Sequence, residues 1–285
     1  MKTENKVWFI TSISRGLGKA LALEALNRGD VVIGTSRSGQ VDYQAPTNSG
    51  GKLHTYKLDV ADEESVYYVV NQAQELYGRL DVVVNNAGYG LLGPLESTSA
   101  QETQELFNTN FFGTLYVIQA TLPHLRAQGA GHIINISSIA GLAPRAGYAM
   151  YAASKAAVEG LTKGLAAEVG PLGIKVTAVE PGAFRTDFLN DNSIKHTAQN
   201  MDEYASTSGA MLKLFADHKG KQAGDPARGA KAMVDMVYSD EPPLHFLLGS
   251  DAVARTQAML GEMQAELKKW ESVAVSTDYE KVPVG

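Results

Sequence analysis

The chain has 285 residues, 44% of them hydrophobic and 20% charged, which is enough apolar material for one large folded domain. Its 25 basic and 31 acidic residues give a net charge of −6, so nothing in the charge balance favours binding to nucleic acid or to an anionic membrane. The absence of cysteine excludes disulfides, thiolate metal ligands and a thiol nucleophile.

Short apolar runs alternate with longer segments of helical periodicity. The predicted strands span residues 7–10, 31–35, 53–58, 81–85, 132–137 and 174–180. The predicted helices begin near Gly16 and then cover 61–77, with Asp62 as N-cap, 100–128, as one helix or two, and 148–169. The strands are read as apolar throughout, as in a sheet buried on both faces. This alternation predicts the α/β class: a doubly wound, Rossmann-type parallel sheet of about seven strands with helices on both faces.

The alternation stops after Pro181-Gly182, and about forty irregular residues follow. We expect the segment 188–222 to be a lid over a substrate site. Asp225-Pro226 predicts the start of a helix, 244–248 a last strand, and 251–270 a final helix capped by Ser250. The tail 272–285 is expected to be frayed. Because no repeat or linker interrupts the chain, 1–285 is interpreted as a single domain.

A loop of small residues joins the first predicted strand to the first predicted helix. Backbone N–H groups and the positive end of a helix can bind a diphosphate there, and glycine lets the ligand approach closely. Taken alone, the pattern also fits an ordinary tight turn. The candidate cofactor-binding residues of this loop are Thr11, Ser12, Ser14, Arg15, Gly16, Leu17 and Gly18.

The end of the second predicted strand indicates which dinucleotide would bind. A NAD site places an acid at this position, whereas an NADP site places an arginine there. This chain has Ser36 and Arg37 at that point, and Arg15 supplies a second guanidinium from the loop. Two guanidinium groups and a hydroxyl suit a phosphate. We therefore predict a preference for NADP(H); the alternative is that both arginines are merely solvent-exposed.

Tyr151 and Lys155 lie four residues apart, on one face of a predicted helix. A phenol has an ordinary pKa of about 10, and a nearby ammonium group or an oxidised nicotinamide ring would lower it. Such a group can exchange a proton with an alcohol or carbonyl oxygen, while Ser138 holds that oxygen by a hydrogen bond. The chemistry requires no metal. An isolated Tyr/Lys pair is often only surface decoration, so its context decides.

The context is a series of motifs at the carboxyl ends of successive predicted strands, where open α/β sheets bind ligands. The glycine loop comes first, then Asn85-Asn86-Ala87-Gly88, then Ser137-Ser138, and then the Tyr/Lys helix. In this order the motifs resemble the short-chain dehydrogenase/reductase family in its single-domain form, over about residues 7–249. The pattern is most similar to the branch with 17β-hydroxysteroid and retinol dehydrogenase-like members.

The resemblance implies four catalytic residues. By it, Tyr151 exchanges the proton, Ser138 hydrogen-bonds the reacting oxygen, and Lys155 binds the cofactor ribose and lowers the pKa of Tyr151. Asn110 holds a water that links Lys155 to solvent, and it interrupts its helix beside Phe111 and Phe112. Further cofactor-binding residues implied in the same way are Asp59, Val60, Asn86, Ala87, Gly88, Pro181, Gly182, Phe184 and Thr186.

The chain departs from the family pattern at Ser12, where the family has the first loop glycine. Glycine serves the tight turn, and a serine forced to a positive φ would carry a steric cost. We expect NADPH binding to survive this replacement, with a slightly shifted backbone or a weaker affinity.

The expected activity is oxidation and reduction between a carbonyl and an alcohol, with NADP(H) as cofactor and a hydrophobic small molecule as substrate. The predicted substrate pocket contains Tyr89, Ala140, Leu142 and Phe188, although ordinary core or lid packing explains these residues equally well. An epimerase or dehydratase of the same family type and a non-catalytic NADP(H) sensor are the alternatives. We expect a cytoplasmic homo-oligomer, a dimer or tetramer paired through the helices of Asn110 and Tyr151, with no nucleic acid or membrane partner.

Overall fold

The structure, a computed structural model, describes residues 5–186, 193–197 and 201–279. Its strands are β1 (Val7–Ile10), β2 (Val31–Ser36), β3 (Lys52–Lys57), β4 (Val82–Asn85), β5 (Gly90–Leu92), β6 (Gly131–Ile136), β7 (Ile174–Pro181), β8 (Ile194–His196) and β9 (His245–Leu248). Its α-helices are α1 (Gly16–Asn27), α2 (Glu63–Tyr77), α3 (Ala100–Phe107), α4 (Gly113–Gln128), α5 (Ile139–Leu142), α6 (Ala149–Val169), α7 (Ala210–Asp217), α8 (Pro226–Val237) and α9 (Ser250–Val275).

Seven strands form one sheet in the order β3-β2-β1-β4-β6-β7-β9, and every neighbouring pair is parallel. The strand order reverses between β1 and β4, which creates the crevice where doubly wound sheets bind ligands. The predicted fold class is therefore confirmed. A separate pair, β5 and β8, was not predicted, because each strand has only three residues.

Alternate residues of the central strands enter two different hydrophobic layers. Phe9, Ile33 and Val83 pack on the side of α2, α4 and α6, while Trp8 and Val82 pack on the side of α1 and α8. Both faces of each strand are thus apolar, which is why these strands lack polar alternation in the sequence.

The expectation of apolar strands is wrong for β3. This strand lies at the edge of the sheet, and Lys52, Thr55 and Lys57 are exposed along it. An edge strand has neighbours on one side only, and lysine there discourages pairing with another chain.

The predicted helix starts are confirmed at two caps. Asp62 accepts a hydrogen bond from the Ser65 amide, and Asp225 accepts from the Ala227 amide with Pro226 in the first helical turn. At α9 the prediction is off by one residue, because Gly249 is the N-cap and Ser250 is already helical.

Helix α9 also runs to Val275, beyond the predicted end at 270, so the start of the expected frayed tail is helical. No glycine or proline follows Gly261 in this helix to stop it earlier. Residues 280–285 lie outside the described part. Among the helices of the described ranges, none combines the length and hydropathy that crossing a membrane requires.

The stretch after β7 is more regular than predicted. Residues 187–192, which include Phe188, and 198–200 lie outside the described part of the chain. Within the described part of the stretch, β8 and the eight-residue helix α7 are ordered secondary structure. We interpreted this polar stretch as irregular, but α7 places apolar residues against the body of the protein, as shown below.

Candidate active site

The turn between β1 and α1 is tied to the residues after β4 by side-chain hydrogen bonds. Thr11 is buried, and its Oγ1 accepts hydrogen bonds from the Asn86 and Ala87 amides at 2.9 and 3.0 Å. In return, Asn86 Nδ2 donates to the carbonyl oxygens of Thr11 and Ser12 at 3.0 and 2.9 Å. The glycine loop and the Asn-Asn-Ala-Gly segment, which are about 75 residues apart, thus form one unit.

Close packing explains the glycine at position 18. A Cβ on Gly18 would lie 2.3 Å from Asn86 Nδ2 and 2.4 Å from the Ser12 carbonyl oxygen, so no larger residue fits without rearrangement. Ser12 itself has a φ of 59°, and it is the one non-glycine residue with a positive φ within the described ranges. The backbone therefore retains the conformation that glycine would favour.

The first turn of α1 contains no acidic residue to satisfy its backbone N–H groups. Arg15 is the N-cap residue of this helix and makes no capping hydrogen bond through its side chain. Gly16 opens the helix with a φ of 58°, and Leu17 packs beneath it against the α1–α8 layer. A helix terminus of this kind offers backbone N–H groups and a positive dipole to a phosphate.

The two residues predicted to select NADP lie at the end of β2, beside this turn. The Ser36 side chain is buried, and its hydroxyl donates to the Gln40 carbonyl at 3.0 Å. Arg37 is exposed. Asp59 and Val60 follow β3: Asp59 Oδ1 accepts from the Ala61 amide at 3.0 Å, and Val60 is buried.

Asn110 is fully buried in a π-helical turn, Asn108–Phe112, that separates α3 from α4. Its Oδ1 accepts from the Tyr89 amide, and its Nδ2 donates to the Tyr89 carbonyl and to Ser154 Oγ, all at 3.0 Å. The expected interruption of the long helix is thus present. Its side chain lies beside Gly88, whose Cβ would be 3.2 Å from Asn110 Oδ1 and 3.3 Å from Lys155 Nζ.

Ser138, Tyr151 and Lys155 meet at the carboxyl edge of β6. Ser138 is the N-cap of α5 and accepts from the Ala140 amide at 3.1 Å, and its side chain also forms a hydrogen bond with Tyr151. Lys155 is 5% exposed, and its Nζ donates to the Ile136 carbonyl at 2.8 Å. The structure therefore brings together the four residues that the sequence singled out as catalytic.

Burial dominates the ionisation of this pair. It raises the pKa of Tyr151 to about 12, against the effect of the Ser138 hydrogen bond. It lowers the pKa of Lys155 to about 8, against the effect of the negative charge of Glu159. In the chain without a cofactor the direction for the phenol is opposite to the one we expected: desolvation dominates, and the Lys155 ammonium donates to the Ile136 carbonyl. A lowered phenol pKa beside an oxidised nicotinamide ring stays a prediction.

The segment after β7 closes the same edge. The Gly182 amide donates to the Leu248 carbonyl at 2.8 Å, and a Cβ on Gly182 would lie 2.0 Å from the Asp251 carboxylate. Pro181 ends β7. Thr186 lies near Gly16, because a Cβ built on Gly16 would be 3.7 Å from the Thr186 Cβ. The Phe184 ring instead fills the space beside Gly224 and Gly229 and joins the α1–α8 layer.

The predicted substrate residues separate into two groups. Ala140 belongs to an apolar cluster with Tyr148, whereas the Tyr89 ring lies 4.9 Å beneath Lys195 Nζ of β8. Leu142 is partly buried in α5 and Phe188 is outside the described residues. The full cluster contains Leu92, Ala140, Tyr148, Ala152 and Ile194, with Tyr151, Met211, Leu212 and Phe215 packed against it.

Sequence reasoning missed several residues of the site. Asn135 receives a hydrogen bond from Asn85 at 2.8 Å and donates to Thr162 Oγ1 at 2.9 Å, which links β4, β6 and α6 in the interior. The apolar residues of α7 were also missed; Phe215 lies 5.8 Å from the Tyr148 ring. For Asn135 the available signal was an asparagine within a predicted buried strand, since buried polar groups need hydrogen-bond partners. For α7 the available signal was the helical spacing of Met211, Leu212 and Phe215, which extends over only about two turns.

Comparison with known proteins agrees with this geometry. Residues 6–197 match the short chain dehydrogenase family. Oxidoreductase BOA17 of Botryotinia fuckeliana is 36% identical over 95% of this chain and 99% of its own length. The 3-ketodihydrosphingosine reductase of Bacteroides thetaiotaomicron is also 36% identical, over 86% of this chain and 88% of its own.

Solved structures show the same relationship. A short-chain dehydrogenase from Streptomyces avermitilis superposes with a TM-score of 0.87 at 39% identity, covering 98% of this chain and 100% of its own. ElxO with NADP bound superposes with a TM-score of 0.70 at 31% identity, covering 88% and 99%. Both the residues matched and the extent of the match lead to one conclusion: the chain belongs to the short-chain dehydrogenase/reductase family and is an oxidoreductase of that type.

Proposed function

We propose that this protein transfers a hydride between NADP(H) and a carbonyl/alcohol pair, with a hydrophobic ketone or secondary alcohol as substrate. One observation carries the proposal: the Tyr151 hydroxyl forms a hydrogen bond with Ser138 at the sheet edge where Lys155 and Asn110 also meet. A proton donor, a hydroxyl that holds its target and a buried cation are the groups that this chemistry uses.

The residues present fit a dinucleotide. The first turn of α1 contains no acidic residue, and at Gly18 and Gly88 a Cβ would lie too close to neighbouring atoms. Thr11 to Gly18 would hold the diphosphate, Asp59 and Val60 the adenine side, and Asn86 to Gly88 with Lys155 the ribose. Pro181, Gly182 and Thr186 would hold the carboxamide end, with Phe184 contributing backbone rather than its packed ring.

The choice of NADP(H) rests on charge. Arg37 is exposed at the end of β2, and Arg15 lies at the neighbouring turn. Ser36 contributes less than we predicted, because its hydroxyl already donates to Gln40. The similar protein ElxO has been solved with NADP bound, which supports the same choice.

The chain's own residues handle the proton. When bound, the cofactor supplies or accepts the hydride at the substrate carbon. In the reductive direction, Tyr151 Oη gives its proton to the carbonyl oxygen, which Ser138 holds within hydrogen-bond reach. Lys155 stabilises the phenolate that results, and Asn110 fixes the backbone of Tyr89 beside it. The apolar cluster of Ala140, Tyr148 and α7 packs against Tyr151, which supports a hydrophobic substrate.

A carbonyl panel with matched variants tests the proposal. NADPH absorbance is followed with aliphatic, aromatic and long-chain 3-keto substrates, the last chosen because a relative is a 3-ketodihydrosphingosine reductase. We expect Tyr151→Phe and Ser138→Ala to lower kcat/KM at least about 100-fold, while Kd for NADPH stays within a few fold. Ser137→Ala is the matched control, because the Ser137 hydroxyl donates only a long bond of 3.4 Å to the Lys155 carbonyl.

The outcomes separate the alternatives. Tight NADPH binding with no turnover on the whole panel would support a sensor. Product formation without net NADPH consumption would support an epimerase or dehydratase. Equal catalytic efficiency with NADH and NADPH would contradict the cofactor choice alone, and an undiminished Tyr151→Phe enzyme would contradict the mechanism.

We further propose a cytoplasmic dimer or tetramer paired through α4 and α6. The Phe112 and Tyr116 rings, which stack at 6.3 Å near the start of α4, are only partly buried in the single chain and support this surface. Light scattering coupled to size-exclusion chromatography measures the assembly, and a monomeric mass at micromolar concentration would contradict it.

A further inference from the structure

Three titratable side chains meet on the far side of Lys155, outside the proposed active site. Glu159 lies one turn after Lys155 on α6, Glu180 is near the end of β7, and His245 begins β9. Their ligand-capable atoms all lie within 4.8 Å of one another. Because the three residues come from three different elements, no local sequence motif announces the cluster.

The carboxylates of this cluster are buried and incompletely paired. Glu159 is 3% exposed and Glu180 is fully buried. Glu180 Oε1 lies 2.6 Å from His245 Nδ1, but Glu180 Oε2 and both oxygens of Glu159 have no hydrogen-bond partner among the residues that the structure describes. His245 Nδ1 is 3.7 Å from Glu159 Oε2. Three buried carboxylate oxygens without a partner beside one imidazole are costly unless a cation or a proton neutralises them.

We propose that Glu159, Glu180 and His245 form a binding site for one divalent cation, with Zn²⁺ as the best-fitting ion. Two carboxylates and one imidazole are a donor set that zinc accepts, with water as the fourth ligand. Two negative charges and a divalent cation also leave the buried site neutral.

The spacing is compatible with this ion after a small movement. Ligand atoms about 2.1 Å from a metal are at most about 4.2 Å apart, so the widest pair must close by a few tenths of an ångström. The His245 side chain is 39% exposed and sits on the last strand of the sheet, so it is free to make that movement.

The surrounding charges do not already neutralise the pair. Burial raises the pKa of Glu159, and the nearby Ser137 side chain with the charges of His245, Lys163 and Lys155 offsets that effect only in part. Neither lysine makes an ion pair with Glu159 among the described contacts. The cation would join α6 to β7 and β9, and so would brace the helix of Tyr151 against the strand that leads to Pro181.

The experiment is metal binding to untagged, full-length protein. The protein is stripped with chelator, and ZnCl₂ is titrated by calorimetry, with MnCl₂ and MgCl₂ for comparison. We expect one Zn²⁺ per chain, weaker Mg²⁺ binding, and a melting temperature that rises with Zn²⁺ concentration. Glu159→Gln, Glu180→Gln and His245→Ala should each weaken Zn²⁺ binding at least 100-fold. His218→Ala, which alters an exposed histidine at the end of α7, should bind like the parent.

Several results would overturn the site. Absence of Zn²⁺ binding by the folded parent is one, and unchanged affinity in His245→Ala, an exposed substitution that leaves the core intact, is another. A third is a parent protein that takes up no Zn²⁺ together with a Glu159→Gln variant that melts at a higher temperature. This result would indicate that a shared proton, and not a cation, joins the two carboxylates. None of these readouts depends on hydride transfer, so they leave the proposed function untouched.

Discussion

The carboxyl edge of the sheet and the structure that covers it are held in different ways. At the edge, Thr11, Asn86 and Asn110 each make two or more hydrogen bonds to backbone groups of other segments. In the cover, α7 contacts the site through apolar side chains, and α9 is attached near its start by Arg255, which donates to Ala143 and Tyr148. The edge is therefore held by many directional hydrogen bonds, whereas α7 meets the site through apolar packing and the Arg255 hydrogen bonds attach only the start of α9.

This difference suggests that the edge determines the type of reaction and that the cover determines which substrate is accepted. Directional hydrogen bonds fix where the proton donor and the cofactor must lie, so their residue types can change little without loss of the chemistry. Apolar packing tolerates substitution as long as volume is kept. Substitutions in the two regions should accordingly have different signatures, which the following variants measure.

Asn110→Ala should have the largest effect. It leaves the Tyr89 amide and carbonyl and the Ser154 hydroxyl without their buried partner, which costs roughly 2–4 kcal/mol of unfolding free energy. Activity should fall with it, because the turn beside Lys155 loses its support. Urea unfolding and kcat/KM measure both effects. Asn108→Ala is the control in the same turn: the Asn108 side chain accepts a hydrogen bond from exposed Gln104, so its loss should cost less than about 0.5 kcal/mol of unfolding free energy. Equal losses of stability and activity in the two variants would contradict the supporting role of Asn110.

His132 provides a pH test of the rigid layer beneath the edge. Burial, aided by the charges of Lys175 and Lys6, lowers the pKa of His132 to about 3 from 6.5. Between these values the unfolded chain holds the extra proton, so this histidine makes stability fall as pH drops from 6.5 towards 3. At pH 5 this effect lowers the free energy of unfolding by about 2 kcal/mol relative to its value well above pH 6.5.

His132→Gln should therefore reduce the loss of unfolding free energy between pH 7 and pH 5 by about that amount. His196→Gln, which alters an exposed histidine of β8 in the cover, should leave the pH dependence as it is in the parent. If both variants kept the parental pH dependence, the neutral state of buried His132 would be disproved.

Phe215→Ala tests the cover. Removal of the ring that faces Tyr148 should raise KM for hydrophobic ketones by up to about tenfold and leave Kd for NADPH unchanged. Leu214→Ala, on the solvent side of α7 and 40% exposed, is the matched control. If Phe215→Ala lowered kcat and weakened NADPH binding instead, α7 would belong with the edge and not with the cover.

The same contrast explains what the sequence could predict. The strands β1, β4 and β6 were predictable because both of their faces are buried, which leaves a continuous apolar signal. Thr11 and Tyr151 could be placed from the order of the motifs along the predicted strands, and Asn110 only through the family resemblance.

Helix α7 and the Glu159–Glu180–His245 cluster could not be predicted. Helix α7 is amphipathic, but its eight residues cover only about two turns, which is too short a pattern to identify a helix within a polar stretch. The cluster depends on the register of β7 against β9, which pairs Glu180 with Leu247 and brings His245 alongside, and no local pattern encodes that register. The raised pKa of Tyr151 in the chain without a cofactor could not be predicted either, because burial cannot be inferred from an i,i+4 spacing.

Ser12→Gly should have the smallest effect and is the finest test of the edge. A left-handed backbone costs a serine about 1 kcal/mol or more, whereas glycine loses about 0.5–1 kcal/mol of unfolded-state entropy. The two nearly cancel, so we expect a gain of at most about 1 kcal/mol in stability and NADPH binding that is unchanged or tighter. Ser14→Gly is the matched control: Ser14 has no positive φ to relieve, so only the entropic loss remains and stability should fall. A large loss of NADPH affinity in Ser12→Gly alone would show that the serine hydroxyl binds the cofactor. The turn would then bind NADPH through a side chain as well as through backbone groups.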